Sequence, residues 1–255
     1  MQIVPVRFRS RVHSSILFFI RMPADFFFAG DLSGETIAFS ESESHHCIRV
    51  LRHRQGDLVN VVDGNGTLIT GKILEENSTR VLVSTESSQK DYGKRNFYLH
   101  LAISQLSDND RFEFFLEKAV EIGIEEITPL ICRRTQVKFY KEERWKKILL
   151  SAMKQSGRAI LPKLNSPVKI SEFFQRKTAG LKCMAHCQPG DKKSLRDILP
   201  AQNSLTCLIG PEGDFSDEEI DLAMTGDFVP ITLGDFRLRA ETAGVAVVNA
   251  VSLIV

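Results

Sequence analysis

The stretch "LIGPEGDFSDEEI", Leu208–Ile220, decides how the rest of the chain is read. Its first residues continue the apolar run that begins at Ser204, which is short enough to be a buried strand. Gly210-Pro211-Glu212-Gly213 ends that run, and an acid-rich helix start follows. Asn-Gly would serve for a plain turn, but this loop sets two glycines and a proline around one carboxylate. A strand, a rigid loop and a helix in that order form one unit of an α/β sheet, and such sheets bind ligands at the carboxyl ends of their strands.

The same rhythm runs through the C-terminal half. "FYLHLAISQ" (Phe97–Gln105), "ITPLIC" (Ile127–Cys132), "LKCMAHC" (Leu181–Cys187) and "VPITLG" (Val229–Gly234) read as further short strands. "DNDRFEFFLEKAVEIG" (Asp108–Gly123) and "KEERWKKILLSAMKQSG" (Lys141–Gly157) have helical periodicity. Their alternation predicts a largely parallel α/β sheet. The chain ends in "AETAGVAVVNAVSLIV", without a charge after Glu241. A helix that is apolar all round must be covered, by its own domain or by a second subunit.

Before this half the pattern changes to strands and tight turns. "DLVNVVDGNGTLITGKI" (Asp57–Ile73) alternates in hydropathy around Asp63-Gly64-Asn65-Gly66, a hairpin signal. "RVLVSTES" is another strand, and "SESESHHCIRVLRHR" (Ser40–Arg54) is one helix with capping-box spacing between Ser40 and Glu43. These elements predict a small β-barrel or sandwich over residues 22–90, joined by the polar, basic stretch Ser87–Asn96 to an α/β domain over 96–255. Residues 1–21 carry Arg7, Arg9, Arg11 and Arg21 with no acid, and their apolar run is too short to span a bilayer. A signal or transit peptide is one reading of them; the preferred one is an unstructured extension outside the fold, with Met22 as the real or functional start.

The composition is that of an ordinary soluble globular protein, of one large or two small domains. The 255 residues are 43% hydrophobic and 25% charged, with a net charge of only +1, so any nucleic-acid surface must come from local clustering of cations. Five scattered cysteines fit reduced thiols in a cytosol, which predicts a cytoplasmic protein. No Gly-x-Gly-x-x-Gly follows a strand, and there is no P-loop and no nucleophile elbow. Cys183, His186 and Cys187 sit in one apolar strand whose alternate side chains diverge, so they read as core residues and no metal site is expected.

Three loops remain: Gly210–Gly213, Leu233-Gly234, and Leu238–Ala243. Each follows or abuts an apolar strand, so all three can meet at one end of the sheet, where glycines let main-chain groups approach a flat ligand. "IGPEG", then "LG", then "LRAETA" resembles the ribosomal RNA small-subunit methyltransferase E family, of the SPOUT class of S-adenosylmethionine enzymes. "HCIRVLRHRQGD", "KAVEIGIEEITPL" and the Gln155-Ser156-x-Arg158 of "MKQSGRAILP" extend the resemblance over nearly all of the chain after Met22. Asp214, Phe236-Arg237 and Arg133 depart from the usual family residues.

The resemblance implies a C-terminal domain tied in a deep trefoil knot, a PUA-like N-terminal β-barrel and a homodimer. It implies S-adenosyl-L-methionine held by Ile209, Gly210, Pro211, Glu212, Gly213, Leu233, Gly234, Leu238 and Thr242. The implied reaction is methylation of N3 of one uridine in 16S ribosomal RNA of the small ribosomal subunit. Another RNA, a ribose 2′-OH, or a non-catalytic assembly role are the alternatives. Uridine N3 carries a proton, so the site must favour an anionic uracil. Arg239 is the first candidate for that counter-charge and Arg158 the second. Glu241 and Glu212 are the candidate bases, each with a structural alternative: helix-dipole compensation for Glu241, loop support for Glu212. His46, Arg49, Arg52 and Arg54, with Arg133 and Arg134, form the expected RNA-binding set. Arg49 and Arg52 are three apart on the expected helix and would share a face.

Overall fold

The computed structural model of the chain describes residues 25–136, 140–176, 178 and 180–255; the expected extension, residues 1–21, lies outside them. The chain forms two sheets. The first contains β1 (Phe26–Phe28), β2 (Thr36–Ala38), β3 (Leu58–Val62), β4 (Leu68–Glu75) and β5 (Leu82–Gln89), in the order β1-β3-β4-β5-β2. The Asp63 turn is the expected hairpin: Asp63 Oδ1 accepts from the amides of Asn65 (2.7 Å) and Thr67 (3.0 Å), and Gly64 and Gly66 take positive φ. Alternate residues Val59, Val61, Ile69, Ile73 and Val83 turn inward onto Phe27 and Phe39. β1 and β2 end the path without pairing with each other, so the expected barrel is an open half-barrel.

The expected single helix Ser40–Arg54 is shorter than its pattern. It runs as α1 (Glu41–His45), continues as a π-helical turn at His46–Val50, and has ended before Arg52, whose φ is 62°. Ser40 caps α1 by accepting from the Glu43 amide at 3.2 Å. The Glu43 carboxylate does not complete the box. It accepts from the Phe28 amide at 3.2 Å and pairs with Lys154 of the second domain.

The second sheet is parallel throughout. It contains β6 (Tyr98–Ser104), β7 (Glu126–Ile131), β8 (Lys163–Leu164), β9 (Val168–Lys169), β10 (Leu181–Ala185), β11 (Lys193–Ser194), β12 (Ser204–Ile209) and β13 (Val229–Thr232). The order is β11-β13-β10-β12-β6-β7-β8, with β9 also on β7. The helices are α2 (Asn109–Ile122), α3 (Glu142–Gln155), α4 (Ile170–Phe173), α5 (Leu195–Ile198), α6 (Asp217–Thr225) and α7 (Ala240–Ile254). Strand alternation separates two cores. Leu101, Ile103, Cys207 and Ile209 pack with residues of α2, α3 and α7; Ala102, Leu208 and Met184 pack with Phe173, Phe215 and Ala223.

Among the described residues, α7 is covered on one side only. Gly244 lets it lie against α2: a Cβ there would stand 2.7 Å from the Phe115 ring. Val247, Val248 and Val251 are buried, whereas Leu253 is 78% exposed. The two domains interlock where the Gly64–Gly66 turn meets the turn after α3. There Gly66 N donates to Ala159 O (2.9 Å) and Leu161 N to Gly64 O (2.8 Å).

Candidate active site

At the carboxyl ends of β10, β12 and β13 lies a cleft of about 830 Å³. Its walls are the loops after those strands: Ala185–Cys187, Ile209–Asp214 and Ile231–Arg239, closed by the start of α7 and by Asp108 and Arg111 of α2. This is the size range of small-molecule sites.

Local bonds fix the loop after β12. The Phe215 ring lies where a Gly210 side chain would be, 3.0 Å from an added Cβ. Gly210 is therefore required by its own loop as well as by any ligand. Asp214, at φ 66°, accepts from the Cys187 amide (2.8 Å) and so ties the β12 loop to the β10 loop. Ser216 and Glu219 form a reciprocal capping box that starts α6, and Glu219 also accepts from the Arg133 amide at 2.7 Å. Arg134 donates to the carbonyls of Gly213 (2.7 Å) and Phe215 (3.1 Å). Arg134, expected on RNA, thus spends its Nη1 on holding the loop.

Arg111 joins the start of α7 to the loop after β12. Its Nε and Nη2 grip Glu241 at 2.9 and 2.6 Å, and Nη1 stands 3.5 Å from Glu212. The hydrogen bonds to Glu241 raise the proton affinity of Arg111 further. Glu212 also accepts from Ser107, at 2.6 Å from the hydroxyl and 3.2 Å from the amide. Both loop carboxylates therefore have structural partners, and the fork from Arg111 commits both oxygens of Glu241.

Of the expected cofactor residues, Ile209, Gly210, Pro211, Glu212, Gly213, Leu233, Gly234 and Leu238 line the cleft. Thr242 is exposed on the first turn of α7 and does not line it; its neighbours Ala240 and Ala243 do. Arg239 lines the cleft as the N-cap residue of α7, and among the described residues its guanidinium has no hydrogen bond or ion pair. Arg158 is not brought to the cleft. It sits at the opposite end of the sheet, beside Arg95 and Gly123, 3.5 Å from the carbonyl of Ile122.

The basic residues of the N-terminal domain gather separately. Arg49, Arg52 and Arg54 line a second cavity of about 540 Å³ with Glu75 and Glu76, and Arg54 pairs with Glu76. Arg49 and Arg52 converge because the chain reverses at Arg52, not through a shared helix face. His46 packs edge-on against Phe27.

Sequence reading missed Arg111, because its partners lie 101 and 130 positions away. It also missed that His186 and Cys187 turn into the cleft while Cys183 stays buried, its thiol pushed up to about 12 by burial. His186 Nδ1 is buried without a partner among the described residues, and burial with the nearby Lys192 lowers its proton affinity. No group of three metal-ligating side chains gathers among the described residues.

Known proteins resemble this chain in sequence and in fold. The chain matches the RNA methyltransferase domain family over residues 94–252 and the RNA methyltransferase PUA domain family over 39–86. Ribosomal RNA small subunit methyltransferase E of Synechocystis is 32% identical, with 82% of this chain and 70% of that protein covered. The Bacillus subtilis protein of the same name is 25% identical over 85% of this chain and 90% of its own. A crystal structure of that enzyme from Neisseria gonorrhoeae, bound to S-adenosyl methionine, superposes with a TM-score of 0.82 at 26% identity, over 90% of this chain and 97% of that one. A Legionella pneumophila structure in complex with its bound cofactor SAM superposes at 0.81 and 30% identity, over 92% and 98%. With both domain families matched in order and a relative above 30% identity across four-fifths of this chain, the chain belongs to the ribosomal RNA small subunit methyltransferase E family of RNA methyltransferases.

Proposed function

We propose that this chain methylates N3 of one uridine in the 16S RNA of the small ribosomal subunit, with S-adenosylmethionine as donor. The observation that carries the reading is the cleft at the carboxyl ends of β10, β12 and β13, in a chain whose relatives are named small-subunit RNA methyltransferases. The residues present suit the donor. Ile209, Leu233 and Leu238 offer apolar walls to an adenine; Glu212, Asp214 and Asp235 offer negative charge to a sulfonium and an ammonium.

The bound cofactor supplies a methyl group on a cationic sulfur, which an in-line nucleophile displaces. The loops orient that group, and orientation is most of the task in such a displacement. The nucleophile is uracil N3 once its proton has left, and Arg239, unpaired at the cleft lip, stabilises the resulting anion. Glu241 holds Arg111 and so positions two loops; with its oxygens engaged, the N3 proton passes to water. Arg49 and Arg52 hold RNA phosphates on the N-terminal domain.

The C-terminal segment completes a deep trefoil knot. This is supported by its path: from β13 the chain returns past β10 to lay α7 on α2, β6 and β12. The exposed apolar side of α7 around Leu253 packs on a second copy to give a homodimer. A single-chain mass in sedimentation equilibrium would overturn that assignment. The protein works in the cytoplasm, where its substrate lies; no helix among the described residues is long and apolar enough to cross a membrane. The test of the cofactor site is titration calorimetry with S-adenosylmethionine. One site per chain, displaced by S-adenosylhomocysteine, is expected, and absence of saturable heat in folded protein would sink the reading.

A further inference from the structure

The lip of the cleft carries an aromatic ring that nothing in the described chain covers. Phe236 is 87% exposed, more than any other large apolar side chain among the described residues, Leu253 at 78% included. It lies in the loop between β13 and α7, and it is the only Phe, Tyr or Trp among the described residues that line the cleft. It packs into none of the three apolar cores. Arg237 beside it and Arg239 beyond it are exposed, and neither guanidinium has a hydrogen bond or ion pair among the described residues.

Single exposed apolar residues are common on protein surfaces and need no explanation. This one differs in its place, on the wall of the cleft, and in its neighbours, two unpaired cations. Phe236-Arg237 is also a point at which this chain departs from the usual family residues, so the ring is a feature of this chain. Single-stranded nucleic acid is held by aromatic faces on which bases stack, set among arginines and lysines that meet the backbone. A uracil whose N3 is to meet a methyl group must leave the stack of its neighbours. Enzymes that take a base out of its stack offset the lost contact with aromatic or apolar side chains of their own. The other large apolar side chains on the cleft wall, Ile209, Ile231, Leu233 and Leu238, are aliphatic and offer no ring face.

We propose that Phe236 is the stacking platform for the target base: the uracil, taken out of its own stack, lies against the phenyl face and leaves its oxygens to Arg239, three residues on. This rests on the uridine methyltransferase reading above and names the residue that seats its substrate. The ring makes and breaks no bond. It raises the fraction of docked RNA whose uracil is in the cleft. Docking itself stays with the phosphate contacts, so the ring acts on the transfer rate at saturation and not on RNA affinity.

The experiment is single-turnover methyl transfer to saturating small ribosomal subunits that lack the modification. It compares the wild-type protein with Phe236→Ala, Phe236→Leu and Phe236→Tyr, and measures subunit affinity, S-adenosylmethionine affinity and sedimentation mass alongside. Loss of one base stack corresponds to about tenfold or more, and Phe236→Ala should slow transfer by that factor. Phe236→Leu, apolar but without a ring face, should be slowed likewise, and Phe236→Tyr should recover most of the rate. The three other measurements should match the wild type in every variant. A wild-type rate in Phe236→Ala or Phe236→Leu overturns the proposal. So does a loss of cofactor affinity, which would make the ring a cover for the donor. Weakened subunit affinity with a normal rate at saturation would make it a docking contact, and a changed mass would place it between two copies; either result overturns the proposal as well. A wild-type protein that methylates no uridine sinks the methyltransferase reading itself, and this proposal with it.

Discussion

Replacing Glu241 by Gln tests whether that carboxylate positions loops or moves a proton. Its side chain is 7% exposed and takes two hydrogen bonds from Arg111, which is 25% exposed and also faces Glu212. Removing one partner of a fully buried pair costs about 3–5 kcal/mol. Water at the quarter-exposed Arg111 offsets part of this, so about 2–3 kcal/mol is expected for Glu241→Gln. Arg111→Met should cost a similar amount, and the double variant only slightly more than either single one. The assay is denaturant unfolding of the three variants and wild type, giving a coupling energy of at least about 1.5 kcal/mol. Cofactor affinity should fall about tenfold in each single variant, since two cleft walls lose their common anchor. Additive stabilities would refute the anchoring argument. Normal stability and cofactor binding in Glu241→Gln, with methyl transfer abolished at saturation, would make Glu241 the base.

Arg239→Ala should keep cofactor and RNA affinity but slow single-turnover methyl transfer by about a hundredfold or more, the usual cost of losing a charge-stabilising donor; a normal rate with weakened RNA binding would make Arg239 a docking residue. Arg49→Ala with Arg52→Ala should weaken RNA binding and lower its logarithmic salt slope by about two, leaving cofactor titration unchanged. An unchanged slope would remove that cavity from the RNA path. Burial pushes the Glu126 carboxyl up, but hydrogen bonds from Asn165, Tyr98 and Lys163 outweigh it and lower it from 4.5 to about 2. Its folded value lies below its unfolded one, so its stabilisation is present above pH 4.5 and lost as pH falls toward 2. Glu126→Gln should flatten the acid-unfolding profile in that window, and an unaltered profile would show that the bonds contribute nothing.

The strands and long helices were legible because burial imposes period on them. Leu101 and Ile103 face one core and Ala102 the other, as alternation requires. The cleft loops after β12 and β13 were legible as strand ends carrying glycines; the one after β10, Ala185–Cys187, carries none and was not. Function attached to single charges was much less legible, since a charge acquires its role from partners distant in sequence. Arg134 looks basic and available, but its Nη1 donates to loop carbonyls 79 and 81 residues away. Glu43 has capping-box spacing, yet its carboxylate crosses to Lys154, 111 residues on. Arg158 belongs to a motif near the C-terminal end of α3 and lies at the far end of the sheet from the cleft. The helix through Arg52 failed for a local reason: the turn widens at His46–Val50 and reverses at Arg52.

Nucleoside analysis of the product identifies the methylated atom. Small ribosomal subunits lacking the modification are incubated with this protein and methyl-labelled S-adenosylmethionine, and the 16S RNA is then digested and its labelled nucleoside identified by mass spectrometry. The expected product is 3-methyluridine at one position, close to one per subunit. Label on a ribose, label on another base, or no label in 16S RNA from a folded, cofactor-binding protein would contradict it.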